Sequence, residues 1–161
     1  MRIGQGVDIH PFDHATDRPL VLGGVRMDGA PGLAGHSDAD VVLHALVDAL
    51  LGAAGLGDIG TLFGSEDPAY HRAASEVFVT GALERVFEHG LRIANVDCTI
   101  IAQRPRIDPY REAIAASVAR VLGVGGRRVN VKATTTDGLG FTGRGEGIAC
   151  LAVALLRERG A

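Results

Sequence analysis

Three side chains give this sequence its clearest route to chemistry. Asp8 and His10 stand two apart in RIGQGVDIH, and His44 sits inside the apolar run VVLHALVDALL. The first stretch alternates like a strand, so Asp8 and His10 leave one face about 7 Å apart and can bend toward one ion. One carboxylate and two imidazoles suit Zn²⁺. Three protein ligands, where structural zinc has four, describe a catalytic site with an open position. The plainer alternative is a solvated Asp-His pair and an unrelated histidine on a helix face.

Around His44, Asp40 and Asp48 complete an i, i+4, i+8 series on one helix face, in steps of about 6 Å. Either carboxylate could orient the far nitrogen of His44 or bind substrate hydroxyls. His36 and Ser37 fall at the expected start of that helix, where N–H groups and the dipole favour an anion such as phosphate. A second cluster, VKATTTDGLGFTGRGEG, ends a strand with Thr134, Thr135 and Thr136. Lys132, Arg144 and the glycine-rich turn add charge and close backbone approach there, although the pattern matches neither standard nucleotide-binding glycine motif. A third, AQRPR at 102–106, offers two arginines able to grip phosphates.

The elements that position these groups read as one mixed domain. Strands are expected at Arg2–Asp8, Leu20–Leu22 and Val25–Met27, the last two joined by a hairpin-like turn at Gly23-Gly24. Ser37 or Asp38 can cap a helix running to about Gly52. A second helix is expected over about Arg72–His89, stopped by Gly90, and a third from Asp108-Pro109 to near Gly123. Asn95–Ala102 and Val129–Thr135 read as strands. Ile148–Leu156 is a strand or a very apolar helix, with a strand favoured at its start. The sum is an α/β (α+β) domain over 1–161, a small mixed sheet with helices.

Composition narrows the class. The chain has 161 residues and a net charge of −3 from 16 Lys+Arg against 19 Asp+Glu, so no global field draws nucleic acid or an anionic membrane. The N-terminus shows no apolar leader, and IACLAVALL is too short to span a bilayer. Cys98 and Cys150 lie in apolar runs without metal-type spacing, as expected of a soluble cytoplasmic protein. Its 23 glycines fall mostly in clusters, as where backbone closely approaches ligands or other chains.

Taken together, RIGQGVDIHPF, GHSDADVVLHALVDALLGAAGLGDIGTLF, NVDCTIIAQRP and VNVKATTTDGLGFTGRGEGIAC closely resemble the 2-C-methyl-D-erythritol 2,4-cyclodiphosphate synthase family of non-mevalonate isoprenoid biosynthesis. The four blocks come in order and span most of the chain, from residue 2 to residue 150. That family cyclises 4-diphosphocytidyl-2-C-methyl-D-erythritol 2-phosphate and releases CMP. The resemblance implies a divalent metal, usually zinc, on Asp8, His10 and His44, and places His36 and Thr135 where the transition state is stabilised. It also implies substrate contacts from Asp8, Ile9, His10, His36 and Ser37. Asp58, Ile59, Gly60, Phe63, Gly64, Ser65, Glu66 and Asp67 match segments that meet the methylerythritol part. Ala102, Gln103, Arg104, Pro105, Arg106, Ile107 and Asp108, with Thr134, Thr135, Thr136 and Asp137, match the cytidine-diphosphate pocket, and Phe141 and Arg144 lie nearby. The implied fold packs helices on one face of the sheet and assembles as a homotrimer with active sites between subunits.

Four positions depart from the family's commonest pattern. Gln5 replaces a frequent histidine outside the ligand set, and Gly64-Ser65 stands where Pro-Asp is usual. Asp137 replaces a glutamate that helps hold a second ion, Mg²⁺ or Mn²⁺, on the diphosphate, so the charge survives with one methylene less reach. Two other functions use the same residues: a zinc phosphohydrolase, and a trimeric isoprenoid-diphosphate binding module with Arg144 and Glu146 near a three-fold cavity.

Overall fold

The stretch IACLAVALL, which periodicity leaves between strand and helix, is a strand along its whole length. The computed structural model describes residues 1–64 and 68–160, so the expectations for Ser65, Glu66 and Asp67 lie outside the described residues. Four strands, β1 (Arg2–Pro11), β4 (Leu91–Ile101), β5 (Val129–Thr134) and β6 (Gly147–Glu158), form a mixed sheet in the order β1-β6-β4-β5. Strand β6 runs antiparallel to both β1 and β4, and β4 is parallel to β5. As an interior strand it is covered on both edges, which accounts for its nearly continuous apolar sequence. Strands β1, β4 and β5 therefore all point the same way, and the chain leaves their C-terminal ends at one end of the sheet.

Helix α1 (Val41–Ala54) lies on β1 and β6. It can do so because β1 presents glycine at alternate positions. A Cβ on Gly4 would stand 2.1 Å from the Ala49 carbonyl oxygen, and one on Gly6 would stand 2.0 Å from that of Ala45. Two residues of strand advance about 6.7 Å and one helical turn about 5.4 Å, so each second strand position meets roughly the next turn. Beyond the glycines the same face continues as Asp8 and His10, and there side chains occupy the space between strand and helix.

A separate hairpin, β2 (Pro19–Leu22) and β3 (Val25–Pro31), turns at Gly23-Gly24, both with positive φ, 59° and 76°. Its two turn N–H groups donate to the carboxylate of Asp40, at 2.8 and 2.7 Å. Asp40 is fully buried and also accepts from the N–H groups of Val42 and Leu43, so it is the N-cap of α1. Burial pushes its carboxyl up to about 6, against the opposing pull of these N–H donors. Helix α1 thus begins four residues after Ser37, not at Ser37 or Asp38.

Helix α2 (Ile59–Phe63) is one short turn, and α3 (Glu76–Glu88) packs on α1 and β4. Helix α3 starts later than the Arg72 the periodicity suggests, because Arg72 itself takes a left-handed φ of 58°. A single 3-10 turn at Asp108–Tyr110 leads into α4 (Arg111–Leu122), which ends at Gly123 with φ 64° and packs on β5. The helices cover one sheet face, where Cys98, Ile100, Val131, Cys150 and Ala152 are buried. On the opposite face of β1, Ile3, Val7 and Ile9 are 73, 49 and 50 % exposed, next to Leu155, Leu151 and Ala149 of β6. Among the described residues nothing covers this apolar strip of β1.

Candidate metal centre

Asp8 Oδ2 lies 3.2 Å from His10 Nε2 and 3.1 Å from His44 Nδ1. The three candidate ligand atoms all fall within 4.8 Å of one another, close enough for one ion. All three side chains are largely buried. Burial pushes the Asp8 carboxyl up, yet the hydrogen bonds and charges of His10 and His44 outweigh it and hold the group well below the usual carboxylate range. Burial likewise pulls His10 down, but Asp8 and the Ala34 carbonyl outweigh it and leave the imidazole raised. A deprotonated carboxylate beside two imidazoles is a donor set that fits zinc.

Both histidines also engage their other nitrogen, as metal ligands do. His10 Nδ1 is 2.6 Å from the Ala34 carbonyl oxygen, so Nδ1–H donates there and Nε2, on the Asp8 side, is the nitrogen left for a metal. His44 Nε2 meets Ser75 Oγ at 2.8 Å and Ser37 Oγ at 3.2 Å. The expected orienting carboxylates are not the ones used. Asp40 is spent on the helix cap, and Asp48 Oδ1 accepts from Ile59 N–H at 2.8 Å, tying the next loop to α1. Ser75 escapes a sequence reading because a serine just before a helix reads as a cap.

The anion site expected at the start of α1 is not formed. The first N–H groups of that helix are taken by Asp40, while His36 is exposed and packs edge-on against His71 at 5.2 Å. Ser37 reaches His44 instead. Arg18, unremarked in the sequence, holds this loop from beneath by donating to the carbonyls of Leu33, Gly35 and Ser37 at 2.7, 3.0 and 2.8 Å. Asp58 caps α2 by accepting from Thr61 N–H at 2.8 Å, a bond that holds its carboxyl low. Phe63 packs against Phe78 at 5.1 Å, and Phe78 packs against the His44 ring at 5.7 Å. The 58–63 segment therefore belongs with the metal centre.

A separate cleft of about 650 Å³ gathers Gln103, Arg104, Pro105 and Arg106 with Arg144, Phe12 and His14. Gln103 Oε1 is buried there with no hydrogen-bond partner, an acceptor suited to a donor on a bound molecule. Arg144 is held by Glu146 at 2.7 Å and Arg106 lies 3.9 Å from Asp108. Ala102 is buried and donates to the Thr134 carbonyl at 3.1 Å, joining this loop to the end of β5. Beyond it Thr135 Oγ1 donates to Asp137 at 3.1 Å, and Thr136 Oγ1 bonds the Leu139 carbonyl at 2.5 Å. Phe141 is part-exposed in the turn that follows. Lys132 does not serve this cluster: it pairs with Asp97 on the open sheet face. His10 is level with Ile148 on β6, and Ile101 with Thr134 on β5. Three strand spacings separate β1 from β5, about 14 Å, so the threonine loop and the metal centre lie at the same end of the sheet but do not meet within one chain.

Residues 1–157 match the model of the YgbB family. A 2-C-methyl-D-erythritol 2,4-cyclodiphosphate synthase of Cronobacter sakazakii is 54% identical over 161 residues, covering all of both chains. One of Desulfatibacillum aliphaticivorans is 52% identical over 156 residues, 97% of this chain and 99% of the relative. Among solved structures, the Plasmodium falciparum IspF–CDP complex superposes with a TM-score of 0.85 at 36% identity, covering 98% of this chain and 96% of that one. With its sequence and its fold both matched, this chain belongs to the YgbB family.

Proposed function

We propose that the protein is a phosphorus–oxygen lyase that converts 4-diphosphocytidyl-2-C-methyl-D-erythritol 2-phosphate into 2-C-methyl-D-erythritol 2,4-cyclodiphosphate and CMP. The observation that carries this reading is the convergence of Asp8, His10 and His44 ligand atoms within 4.8 Å in a chain of this family. In the reaction an oxygen of the 2-phosphate bonds to the β-phosphorus, and the bond from that phosphorus to the CMP oxygen breaks. One anion approaches another, and at about 4 Å and an effective dielectric near 20 each pair of unit charges repels by about 4 kcal/mol. Zinc on Asp8, His10 and His44, with Mg²⁺ or Mn²⁺ near Asp137 on the diphosphate, would supply the cationic charge that offsets this.

The chain's own residues position the reactants. The nucleophile is already an oxyanion, so no strong general base is needed. His36 and Thr135 are suited to donate to phosphate oxygens as charge develops. Ser37 and 58–63 flank the metal centre and fit the methylerythritol end. The 102–108 loop, Arg144 and 134–137 fit the cytidine diphosphate end, in keeping with the CDP bound by the Plasmodium relative.

The separation of these two groups supports a homotrimer in which neighbouring copies complete each site. The uncovered Ile3–Val7–Ile9 face is the apolar surface such an assembly would use. A cytoplasmic location accords with this reading. Among the described residues no helix is long and apolar enough to cross a membrane.

Incubation with the cytidylylated substrate should yield CMP and the cyclic diphosphate together. His44→Ala should lose the metal and nearly all turnover while staying folded, since the apolar face of α1 is untouched. A linear bisphosphate product would replace this reading with that of a zinc phosphohydrolase.

A further inference from the structure

Ser75 stands at the N-cap position of α3 without capping it. Its backbone is helical, φ −63° and ψ −14°, and its side chain makes no bond to the helix. The side chain is fully buried and turned toward the metal centre, with Oγ 2.8 Å from His44 Nε2. Ser75 Oγ also hydrogen-bonds Asp38 Oδ1, and the Ser75 N–H donates to Asp38 Oδ2 at 3.0 Å. Asp38 thus grips both polar groups of one serine.

The direction of these bonds follows from the protons available. A carboxylate only accepts, so the single hydroxyl proton of Ser75 goes to Asp38. The serine oxygen is then the acceptor toward His44, and the donor is Nε2–H. A neutral imidazole carrying its proton on Nε2 has its lone pair on Nδ1, the atom that faces Asp8 at 3.1 Å. Ser37 Oγ, 3.2 Å from the same nitrogen, is a longer second acceptor for that proton. His10 has the opposite arrangement, with Nδ1–H given to the Ala34 carbonyl and Nε2 turned toward Asp8 Oδ2 at 3.2 Å. The two imidazoles need opposite tautomers, and each is set by a different partner.

We propose that Ser75 is a positioning residue for the metal centre, coupling Asp38 to His44 so that His44 Nδ1 is held ready to ligate. This rests on the metal-site reading above. The Asp38 carboxylate, acting through the hydroxyl, also makes the imidazole a stronger donor than a neutral partner would.

The test uses the full-length protein and the variants Ser75→Ala, Ser75→Thr and Asp38→Asn. Zinc affinity is measured by competition with a chromophoric chelator, and folding by circular dichroism. Ser75→Ala should bind zinc about 10- to 100-fold more weakly than the parent while folded, as loss of an outer partner does. Asp38→Asn should fall between them, Ser75→Thr should retain most of the affinity, and the cobalt-substituted spectrum of Ser75→Ala should shift. Parental zinc affinity in both folded Ser75→Ala and folded Asp38→Asn overturns the proposal. A parent protein that binds no zinc overturns the metal-site reading beneath it, a result distinct from the first.

Discussion

Gly6 lies directly under the carbonyl of Ala45, the residue after the ligand His44, with room for no Cβ between them. The distance from Asp8 to His44 is therefore set by backbone resting on backbone. Gly6→Ala should lift α1 off β1, costing about 3 kcal/mol or more as an overpacked contact, and should weaken zinc binding without altering a ligand. Denaturant unfolding and zinc content measured together check this. Unchanged values for both would mean the helix is not seated by this contact.

Zinc affinity should depend on pH through His10. Its imidazole is raised above the ordinary 6.5, so the metal-free protein keeps that proton to higher pH than free histidine does. Binding must expel it, and affinity should fall as pH drops, by about tenfold per unit for one displaced proton, beginning above 6.5. Asp8 is held low and contributes nothing in this range. Chelator competition across pH 5.5 to 8 with no fall in affinity above pH 6.5 would remove His10 from the ligand set.

Asp137 takes a left-handed backbone, φ 52°, which aspartate tolerates better than most residues, and its carboxylate accepts from Thr135 Oγ1 at 3.1 Å. If that carboxylate also helps hold an ion on the diphosphate, Asp137→Ala should raise the Mg²⁺ or Mn²⁺ concentration for half-maximal rate steeply and leave the zinc in place. Asp137→Glu should keep or lower that requirement while costing about 1 kcal/mol of stability at the strained turn. Titrating the ion against CMP release decides it. An unaltered requirement in Asp137→Ala would leave the residue as a turn former.

Val7 projects from the uncovered sheet face opposite Leu151. Val7→Asp places a charge there without touching the helix-covered face, so the fold should survive. Light scattering should report one chain of 16.7 kDa in place of about three, with turnover lost. A trimeric, active Val7→Asp protein would remove this face from the assembly.

The sequence makes Asp8 and His10 legible because a period of two keeps them on one side of a strand, and His44 because it interrupts an apolar helical run. The segment HSDAD is legible only as a cluster. Three of its polar side chains serve three elements: Ser37 reaches His44, Asp38 reaches Ser75, and Asp40 reaches the hairpin at Gly23-Gly24. Which of them caps α1 is decided by N–H groups of that distant turn, a contact no local pattern encodes. The same holds for Lys132, whose partner Asp97 lies on the neighbouring strand. The wide gap between the threonine loop and the metal centre depends on strand order, which the sequence does not state.

The bare face of β1 has a consequence for the newly made chain. Ile3, Val7 and Ile9 sit within the first ten residues, on β1, which is an edge strand of the sheet among the described residues. A copy released at low abundance carries an adhesive apolar strip beside an open hydrogen-bonding edge, the combination that recruits stray strands. Yield on overexpression should therefore depend on how quickly copies find one another, and slow, dilute refolding should favour precipitate over product.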